Sequence, residues 1–561
     1  MLIENIIGAF GEVVQVKIML LMALGVLSGL VAGAIPGFTI TMAVVLTLPF
    51  TFGLSTIEGL ATMIGVFVGG LSGGLMSGIL TGIPGTPSSV ATTFDGFPMA
   101  RKGRPGLALG IGVWSSFMGG IFSAILLMTL APQLARIGLE FGPWDYFSLV
   151  LFALTITASL AGENLTKGLI AGALGLLVAT IGEDDINGVA RFNFGTDALK
   201  QGFAFLPVLV GLFAFSQLMS DVQDSATARK PLMEKGAKAV RVEHLAAIKA
   251  LAGDWVNLIR SSLIGVFTGI LPAAGGSISN ILAYDQAKKA SKRPQDYGTG
   301  CAGGIIASES ANNATAGGAL ITMMALGIPG DVVTAVMLGA LLIHDVVPSP
   351  SFIGEQPVLA YSIFLAFFLS NFLMLGTQAI ALRAFLLVTR IPMYMLAGVI
   401  LAYCAIGVFA LHNVTFDIWT LFWFGMIGYV MRQLGFPLAP MILGVVLGGI
   451  AEVNLSRAVA ISDDLTLFVT RPWSLFFLII AIFSIVFPWY QKHRGRKQWT
   501  LGFLPALCLA LAPPLFMMGG VTRPIVGGLL VAVGAWLLVS RHRQGWKLTA
   551  PVEHAARLEE T

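Results

Sequence analysis

The stretch Gly82-Ile-Pro84-Gly85 ends a glycine-rich apolar run. Three similar breaks occur at Gly33-Ala-Ile-Pro36-Gly37, Gly269-Ile-Leu-Pro272 and Gly327-Ile-Pro329-Gly330. Proline removes a backbone donor, and glycine adopts backbone angles that other residues avoid. In lipid, backbone groups freed in this way must be satisfied by protein or by a water-lined cavity. Because paired helix breaks in two halves of a membrane chain are typical of a transporter's central site, the four breaks predict a carrier.

The composition is that of a membrane protein. Of the 561 residues, 56% are hydrophobic and 11% are charged, whereas soluble domains contain roughly 25% charged residues. Apolar runs long enough to cross a bilayer recur along the chain, so we expect an all-α polytopic protein with about 12–16 transmembrane or re-entrant segments in two related halves. The net charge of +4 gives no indication of a nucleic-acid partner.

The distribution of charge predicts the topology. Five basic clusters are expected on the cytoplasmic side; they are Arg101 to Arg104, Arg229 to Lys249, Lys288 to Arg293, Lys492 to Lys497 and Arg541 to Lys547. Four apolar spans separate the first two clusters, roughly 106–130, 144–161, 165–182 and 201–220, and therefore return the chain to the same side. The acidic residues 183–185 are expected outside.

Four regions follow from these patterns. They are a first transmembrane half at 1–220 with a hairpin near Pro84, a cytoplasmic linker at 221–256, a second half at 257–472 with a hairpin near Pro272, and a C-terminal transmembrane extension with a cytoplasmic tail at 473–561. A short amphipathic helix is expected near 241–252 in the linker.

The two hairpins are inferred from short distances along the chain. Asp95 follows Pro84 by 11 residues and Asp285 follows Pro272 by 13, too few to cross a bilayer before the next basic cluster. The flanking sequences therefore favour pairing Pro84 with Pro272. Pairing by chain order, Pro36 with Pro272 (offset 236) and Pro84 with Pro329 (offset 245), is the alternative.

Polar residues near the breaks form the candidate substrate site. Half-helix N-termini carry free N–H groups that suit carboxylates. Because no Lys or Arg lies inside the broken segments, a substrate carboxylate would be held by backbone N–H groups, hydroxyls and amides. The predicted substrate residues are Gly85, Thr86, Ser88, Ser89, Gly275, Gly276, Ser277, Asn312 and Asn313.

A second polar element supplies the candidate ion site. Glu309 is the only acid between Asp296 and Asp331, and it shares a helical face with Asn312 and Asn313. An acid at membrane depth marks a functional-site hypothesis, with an interhelical polar clamp as the alternative. Asp331 is either a helix N-cap or a second ion ligand. The predicted ion-coupling residues are Ser308, Glu309, Asn313 and Asp331, with Na⁺ or H⁺ as the coupling ion.

Other function classes fit less well. The chain contains no G-x-x-x-x-G-K-[ST] phosphate loop, and none of its six histidines belongs to a G-x-S-x-G or H-E-x-x-H motif, so an enzyme or a pump with its own ATPase is not expected. A channel with re-entrant selectivity loops is the principal alternative to a carrier, and a membrane-embedded enzyme is a weaker one.

The motifs together resemble a known family. G-I-P-G-T-P with F-D-G-F-P-M-A-R-K-G in the first half, and A-Y-D, A-S-E-S-A-N-N-A and L-G-I-P-G-D in the second, resemble the TctA family, the large membrane subunit of tripartite tricarboxylate transporters. The resemblance covers roughly residues 15–470.

This resemblance implies a function and partners. It implies a bacterial inner-membrane subunit that imports citrate or other small di- or tricarboxylates, driven by an ion gradient. Its implied partners are a small four-helix membrane subunit and a periplasmic solute-binding protein. The family's re-entrant hairpins would map near Pro84 and Pro272. Residues beyond about 490, with spans near 499–517 and 521–540, would form an extension that either replaces a function of the small subunit or docks it.

Overall fold

The computed structural model of the chain describes residues 2–35, 38–160, 164–184, 188–223, 240–272, 275–388, 393–546 and 548. It is built from α-helices, as the sequence predicts. In chain order the helices are α1 (Leu2–Val13), α2 (Val16–Ala34), α3 (Ile40–Thr51), α4 (Thr56–Thr81), α5 (Val90–Arg101), α6 (Pro105–Gly138), α7 (Pro143–Leu160), α8 (Leu165–Ala179), α9 (Phe205–Val210), α10 (Ser216–Gln223), α11 (His244–Gly253), α12 (Trp255–Ile270), α13 (Gly275–Ala290), α14 (Ala302–Leu326), α15 (Val332–Ile343), α16 (Phe352–Glu355), α17 (Pro357–Val388), α18 (Met393–His412), α19 (Thr415–Gln433), α20 (Leu438–Ile461), α21 (Leu467–Thr470), α22 (Pro472–His493), α23 (Thr500–Met517) and α24 (Thr522–Arg543).

Short elements complete the secondary structure. Gly211–Phe215 is a π-helical turn that joins α9 to α10, and single 3₁₀ turns cover Pro87–Ser89, Asp197–Leu199 and Pro294–Asp296. Two antiparallel strands, β1 (Gly182–Glu183) and β2 (Ala190–Arg191), form a small ribbon after α8.

Among the described residues, nine helices are long and apolar enough to cross a membrane. In the most apolar 18-residue stretch of each helix, 94% of the residues of α4 are buried inside the protein, the largest share of the nine, compared with 11% for the last helix, α24. The chain is therefore a multi-pass α-helical membrane protein whose centre lies around α4 and its neighbours, and whose C-terminal helices lie at the periphery.

The packing of glycines shows that α2 and α4 run parallel. Three glycines of α2 lie so close to α4 that an added Cβ would overlap a backbone carbonyl of α4. From one contact to the next, both partners move four residues toward the C-terminus; the pairs are Gly25 with Thr62, Gly29 with Val66 and Gly33 with Gly70. Helix α3 runs in the opposite direction along α4, with Ile40 beside Gly70 and Thr51 beside Gly59. The segment from α2 to α3 is thus a helical hairpin.

The same arrangement recurs in the second half. Helices α12 and α14 run parallel, with Gly265 against Ala311 and Gly269 against Thr315. Gly265 and Gly269 lie 236 residues after Gly29 and Gly33, and their partners Ala311 and Thr315 lie 245 residues after Val66 and Gly70. Helix α13 runs antiparallel to α14, since Ser279 contacts Thr315 whereas Tyr284 lies beside Gly304. The chain therefore contains two structural repeats.

The two repeats are inverted with respect to each other. Helix α5 runs parallel to the end of α4 but antiparallel to α14, because Thr92 contacts Ser308 whereas Asp95 lies near Gly304. The hairpins α2–α3 and α12–α13 consequently enter the bundle from opposite sides and end near its middle. Inverted repeats of this kind are common in secondary transporters.

This register corrects the sequence-based pairing of Pro84 with Pro272. Helices α4 and α5 do not form a re-entrant hairpin at Pro84, because α5 runs in the same direction as the last turns of α4, with Gly78 facing Thr93 and Gly82 facing Phe97. Pairing by chain order is correct: Gly82 and Gly327 are both left-handed helix ends, with φ of 78° and 71°. The flanking sequences misled because short polar motifs after a proline are alike in both kinds of break.

Loops that carry or follow three of the basic clusters contact one another. The Lys102 ammonium donates to the carbonyl of Thr299 at 2.6 Å, and the amide of Glu243 donates to the carbonyl of Gly106 at 3.0 Å. The loops before α6, α11 and α14 thus share one side of the bundle. Helix α11 is the short helix expected in the linker, of which residues 224–239 lie outside the described residues. The four regional boundaries stay predictions.

Candidate substrate and ion site

The helix breaks converge at one place in the bundle. A Cβ at Gly85 would overlap the carbonyl oxygen of Gly33, and a Cβ at Gly330 would overlap that of Gly269. Each break after α4 or α14 is therefore pressed against the end of the hairpin in its own repeat. Of the predicted breaks, Pro84, Pro272 and Pro329 belong to this centre, and Pro36 lies outside the described residues.

The α12–α13 hairpin also contacts the breaks that follow α4 and α14. A Cβ at Gly275, the first residue of α13, would lie 3.8 Å from Cβ of Asp331. A Cβ at Gly276 would lie 2.8 Å from Cβ of Ser88 and 2.6 Å from Oδ1 of Asn312. The N-terminus of α13 therefore sits between the polar residues that follow Pro84 and those that follow Pro329. Its glycines permit this close approach, and Gly275 has a φ of 56°.

The two breaks that follow α4 and α14 are capped in the same way. Oδ1 of Asp331 accepts from the amide of Thr334 at 2.7 Å and from its hydroxyl at 2.8 Å. At the equivalent positions 245 residues earlier, Thr86 and Ser89 form a reciprocal capping box. Asp331 therefore has the N-cap geometry that was one of its two interpretations. Its role as an ion ligand stays a prediction.

Two buried amide oxygens face this centre without a hydrogen-bond partner. Asn312 donates from Nδ2 to the carbonyl of Leu71 at 3.0 Å, and Asn280 donates from Nδ2 to the carbonyl of Ser88. Both side chains are fully buried, and Oδ1 of each accepts no hydrogen bond. A buried polar atom without a hydrogen-bond partner is uncommon in folded proteins and calls for an explanation.

Glu309 links α14 to two helices of the first repeat. Its Oε2 accepts from the hydroxyl of Ser116 on α6 at 2.8 Å, and its Oε1 accepts from the hydroxyl of Thr92 on α5. The Thr92 hydroxyl also lies 3.2 Å from that of Ser308. These contacts have the geometry of the interhelical clamp considered above. Ion coupling by Ser308 and Glu309 stays a prediction.

Asn313 completes the shared polar face of α14. Its Oδ1 accepts from the hydroxyl of Ser72 on α4 at 2.8 Å. Glu309, Asn312 and Asn313 thus all bond to residues of the first repeat, which confirms that they share a face. That face forms much of the contact between the two repeats.

The Asp and Tyr motifs have a structural role at the basic side of the bundle. Oδ1 of Asp95 accepts from the amides of Gly298, Gly300 and Cys301 at 2.9, 2.7 and 2.7 Å. Tyr284 donates to Oδ2 of the same carboxylate at 2.9 Å. The buried Asp95 therefore fixes the loop that leads into α14.

The structure brings most of the predicted substrate residues together but separates one. Ser277 lies on the exposed side of α13, away from the centre that holds Gly276, Ser88 and Asn312. Four residues outside the predicted set also form hydrogen bonds in this centre or beside it: Asn280, Ser72, Thr92 and Ser116. Asn280 is one of the polar residues that follow the Pro272 break, so the signal that identified Gly275 and Gly276 also applies to it. The three hydroxyls lie in apolar helices, where their spacing carries no signal.

Comparison with protein families places these motifs in a known group. The model of the family described as "Tripartite tricarboxylate transporter TctA family" matches residues 19–443, which cover every break and both repeats as far as the beginning of α20. The chain belongs to the TctA family. It is therefore a membrane component of a tripartite tricarboxylate transporter, and the match ends before the helices α22 to α24.

Two relatives from Agrobacterium vitis support the assignment to the TctA family. One, described as an uncharacterized 52.8 kDa protein in the TAR-I ttuC' 3'region, is 32% identical over 477 residues, which are 84% of this chain and 93% of the relative. The other, from the TAR-II ttuC' 3'region, is 32% identical over 235 residues, or 42% of this chain and 97% of that protein. No solved structure matches the chain.

Proposed function

We propose that this chain is the large permease subunit of a binding-protein-dependent secondary transporter in a bacterial inner membrane. It imports small carboxylates of the citrate or dicarboxylate class, driven by a sodium or proton gradient. The observation that carries the proposal is the meeting of the α13 N-terminus with the polar break residues Ser88, Asp331 and Asn312 inside two inverted repeats.

The N-terminus of α13 supplies the anion-binding part of the site. Its first N–H groups have no partner within the helix and carry the positive end of the helix dipole. No Lys or Arg occurs between Arg260 and Lys288 or between Arg293 and Arg383. A carboxylate would therefore be held by the amides of Gly275 and Gly276 and by the Ser88 hydroxyl, without a salt bridge to a basic side chain.

The unbonded amide oxygens supply the cation-binding part. Oδ1 of Asn280 and Oδ1 of Asn312 are neutral oxygen ligands next to Ser88 and Gly276. A multivalent anion near the middle of a membrane is costly unless cations accompany it. Neutral oxygens suit sodium better than a proton, because an amide oxygen does not take up a proton near neutral pH. Sodium is therefore the favoured coupling ion.

The small membrane subunit and the periplasmic binding protein complete the proposed system. The binding protein would deliver the carboxylate to the side of the bundle opposite the Arg101 and Lys102 cluster. A cation-coupled cycle would then expose the site alternately to the two sides.

The test is uptake of radiolabelled citrate and of a panel of dicarboxylates into proteoliposomes containing the chain, its small membrane partner and the binding protein. An inward sodium gradient, an inward proton gradient and no gradient are compared without ATP. Accumulation above equilibrium under one gradient alone is expected and identifies the ion. Equilibration that ignores both gradients and the binding protein would instead indicate a channel and contradict the proposal.

A further inference from the structure

The inverted repeats continue beyond the broken helices into the peripheral helices. Helices α8 and α19 begin at residues 165 and 415, which are 250 residues apart. The same displacement places α7 (Pro143–Leu160) within α18 (Met393–His412). Gly175 of α8 packs against the backbone of Met441 on α20. Gly425 on α19 is the counterpart of Gly175, and it packs against Phe215 in the π-helical turn between α9 and α10. The segment from α9 to α10 is therefore the first-repeat equivalent of α20.

In the first repeat, one face of α7 is covered by α22. Oδ1 of Asp145 accepts from the amide of Ser474 at 2.9 Å, and the hydroxyls of Ser148 and Ser474 are 2.7 Å apart. One turn further on, the rings of Phe152 and Phe477 stack with centroids 6.3 Å apart. The covered face of α7 thus contains positions 145, 148 and 152, and α22 runs parallel to α7.

The equivalent face of α18 is open. Displacement by 250 residues converts positions 145, 148 and 152 into Met395, Gly398 and Ala402, all of which are exposed. Val399 and Ile406 lie on the same face and are 71% and 67% exposed. A Cβ at Gly398 would have no atom within 4 Å. No described segment of the chain covers this face.

We propose that the α18 face of Met395, Gly398, Val399, Ala402 and Ile406 binds one transmembrane helix of the small membrane subunit, in the place that α22 occupies on α7. This proposal rests on the proposed function, which supplies that subunit. A second copy of the chain is a poorer occupant, because the α22 of each copy is already seated on its own α7.

The geometry of the equivalent contact specifies the partner helix. Since α22 is parallel to α7, the partner helix is parallel to α18, and since the repeats are inverted it runs opposite to α22. Small residues at positions 398 and 402, four apart, permit close approach of helix backbones in a membrane. The helix should therefore be apolar and should place a side chain into the open space above Gly398.

The experiment is co-purification of the small membrane subunit with tagged full-length chain carrying Gly398→Trp and Ala402→Trp together. Recovery of the subunit is expected to fall about tenfold, because bulky rings block helix approach. The matched control is Gly449→Trp, at another exposed glycine that has no atom within 4 Å of an added Cβ. It should retain the subunit.

Cysteine cross-linking provides an independent measurement. Ala402→Cys, paired with single cysteines along each helix of the small subunit, should give a heterodimer with one of those helices, and Gly449→Cys should not. Full retention of the subunit by the double Trp variant would overturn the docking face and leave the proposed function intact, as would a cross-link to a second copy of the chain. Failure of the unaltered chain to bind the subunit would overturn both proposals.

Discussion

Tyr284 donates a 2.9 Å hydrogen bond to Oδ2 of Asp95, and the two residues come from opposite repeats. Their sequence surroundings look alike, since Phe94-Asp95 and Tyr284-Asp285 both follow a proline break. In the folded chain the two motifs contact each other, so they do not occupy equivalent positions in the two repeats. The likeness that favoured pairing Pro84 with Pro272 therefore joins two motifs that contact each other.

Asp95→Ala should destabilise the protein far more than Tyr284→Phe. The alanine leaves three amides of the loop before α14 without their acceptor, whereas the phenylalanine removes one donor. A hydrogen bond to a charged group contributes about 1.5–3 kcal/mol, so Asp95→Ala should cost several times as much as Tyr284→Phe. Thermal unfolding in detergent measures both. Equal shifts in melting temperature would show that the loop amides find other partners.

Gly85→Ala and Gly330→Ala should each reduce transport. The added Cβ would overlap the carbonyl oxygen of Gly33 or Gly269 and force the break away from the hairpin in its repeat. We expect uptake at least about tenfold lower, consistent with a core overpacking cost of about 1–3 kcal/mol. Gly53→Ala is the control, because an added Cβ there meets no atom within 4 Å. Unchanged uptake in both variants would mean that this contact serves packing alone.

Because Glu309 is a predicted ion-coupling residue, loss of its charge in Glu309→Gln should abolish uptake while the protein stays folded. The amide keeps one oxygen acceptor for Thr92 or Ser116, and hydroxyl groups can accept from its NH₂, so the clamp between the repeats survives without the charge. Uptake in proteoliposomes and the melting temperature are measured together. Normal uptake with an unchanged melting temperature would leave Glu309 a structural clamp only.

How much of this architecture could be predicted depended on the range of the interactions involved. The breaks at Pro84, Pro272 and Pro329 were recognisable because proline and glycine act locally on the backbone. The shared face of Glu309, Asn312 and Asn313 followed from helical spacing. The direction of α5 was not predictable, since it depends on the close glycine contacts of Gly78 and Gly82, which become visible only once the helices are packed.

The candidate site divides in the same way. Gly275, Gly276 and Ser88 were predicted because they lie beside a break, and Asn312 because it shares a helical face with Glu309. Ser72, Thr92 and Ser116 were missed, because hydroxyl side chains inside helices commonly bond to the preceding turn and give no sign of an interhelical partner. The importance of these three hydroxyls becomes visible only in the folded chain, where they bond to Glu309 and Asn313 of the other repeat.

Removal of residues 496–561 should leave substrate binding and uptake intact. Helix α23 packs on α22 and on α24, and a surface ion pair, Arg523 with Glu140 at 2.6 Å, ties α24 to the loop after α6. Such exposed pairs contribute about 0–1 kcal/mol. The truncated chain is compared with the full chain for citrate uptake and for recovery of the small membrane subunit. Loss of the subunit on truncation would assign the docking role to the extension.

Asn280→Ala and Asn312→Ala should each raise the sodium concentration needed for half-maximal uptake. Each removes a buried Oδ1 that has no hydrogen-bond partner, together with an Nδ2 donor to a backbone carbonyl. Loss of the donor affects stability, but loss of a cation ligand moves the sodium dependence, which we expect to shift about tenfold, or about 1.4 kcal/mol. Asn454→Ala is the control, since its Nδ2 donates to the carbonyl of Ile450 within α20, far along the chain from the breaks. If all three variants lowered the melting temperature without altering the sodium dependence, the amide oxygens would not be cation ligands, and proton coupling through Glu309 would become the stronger hypothesis.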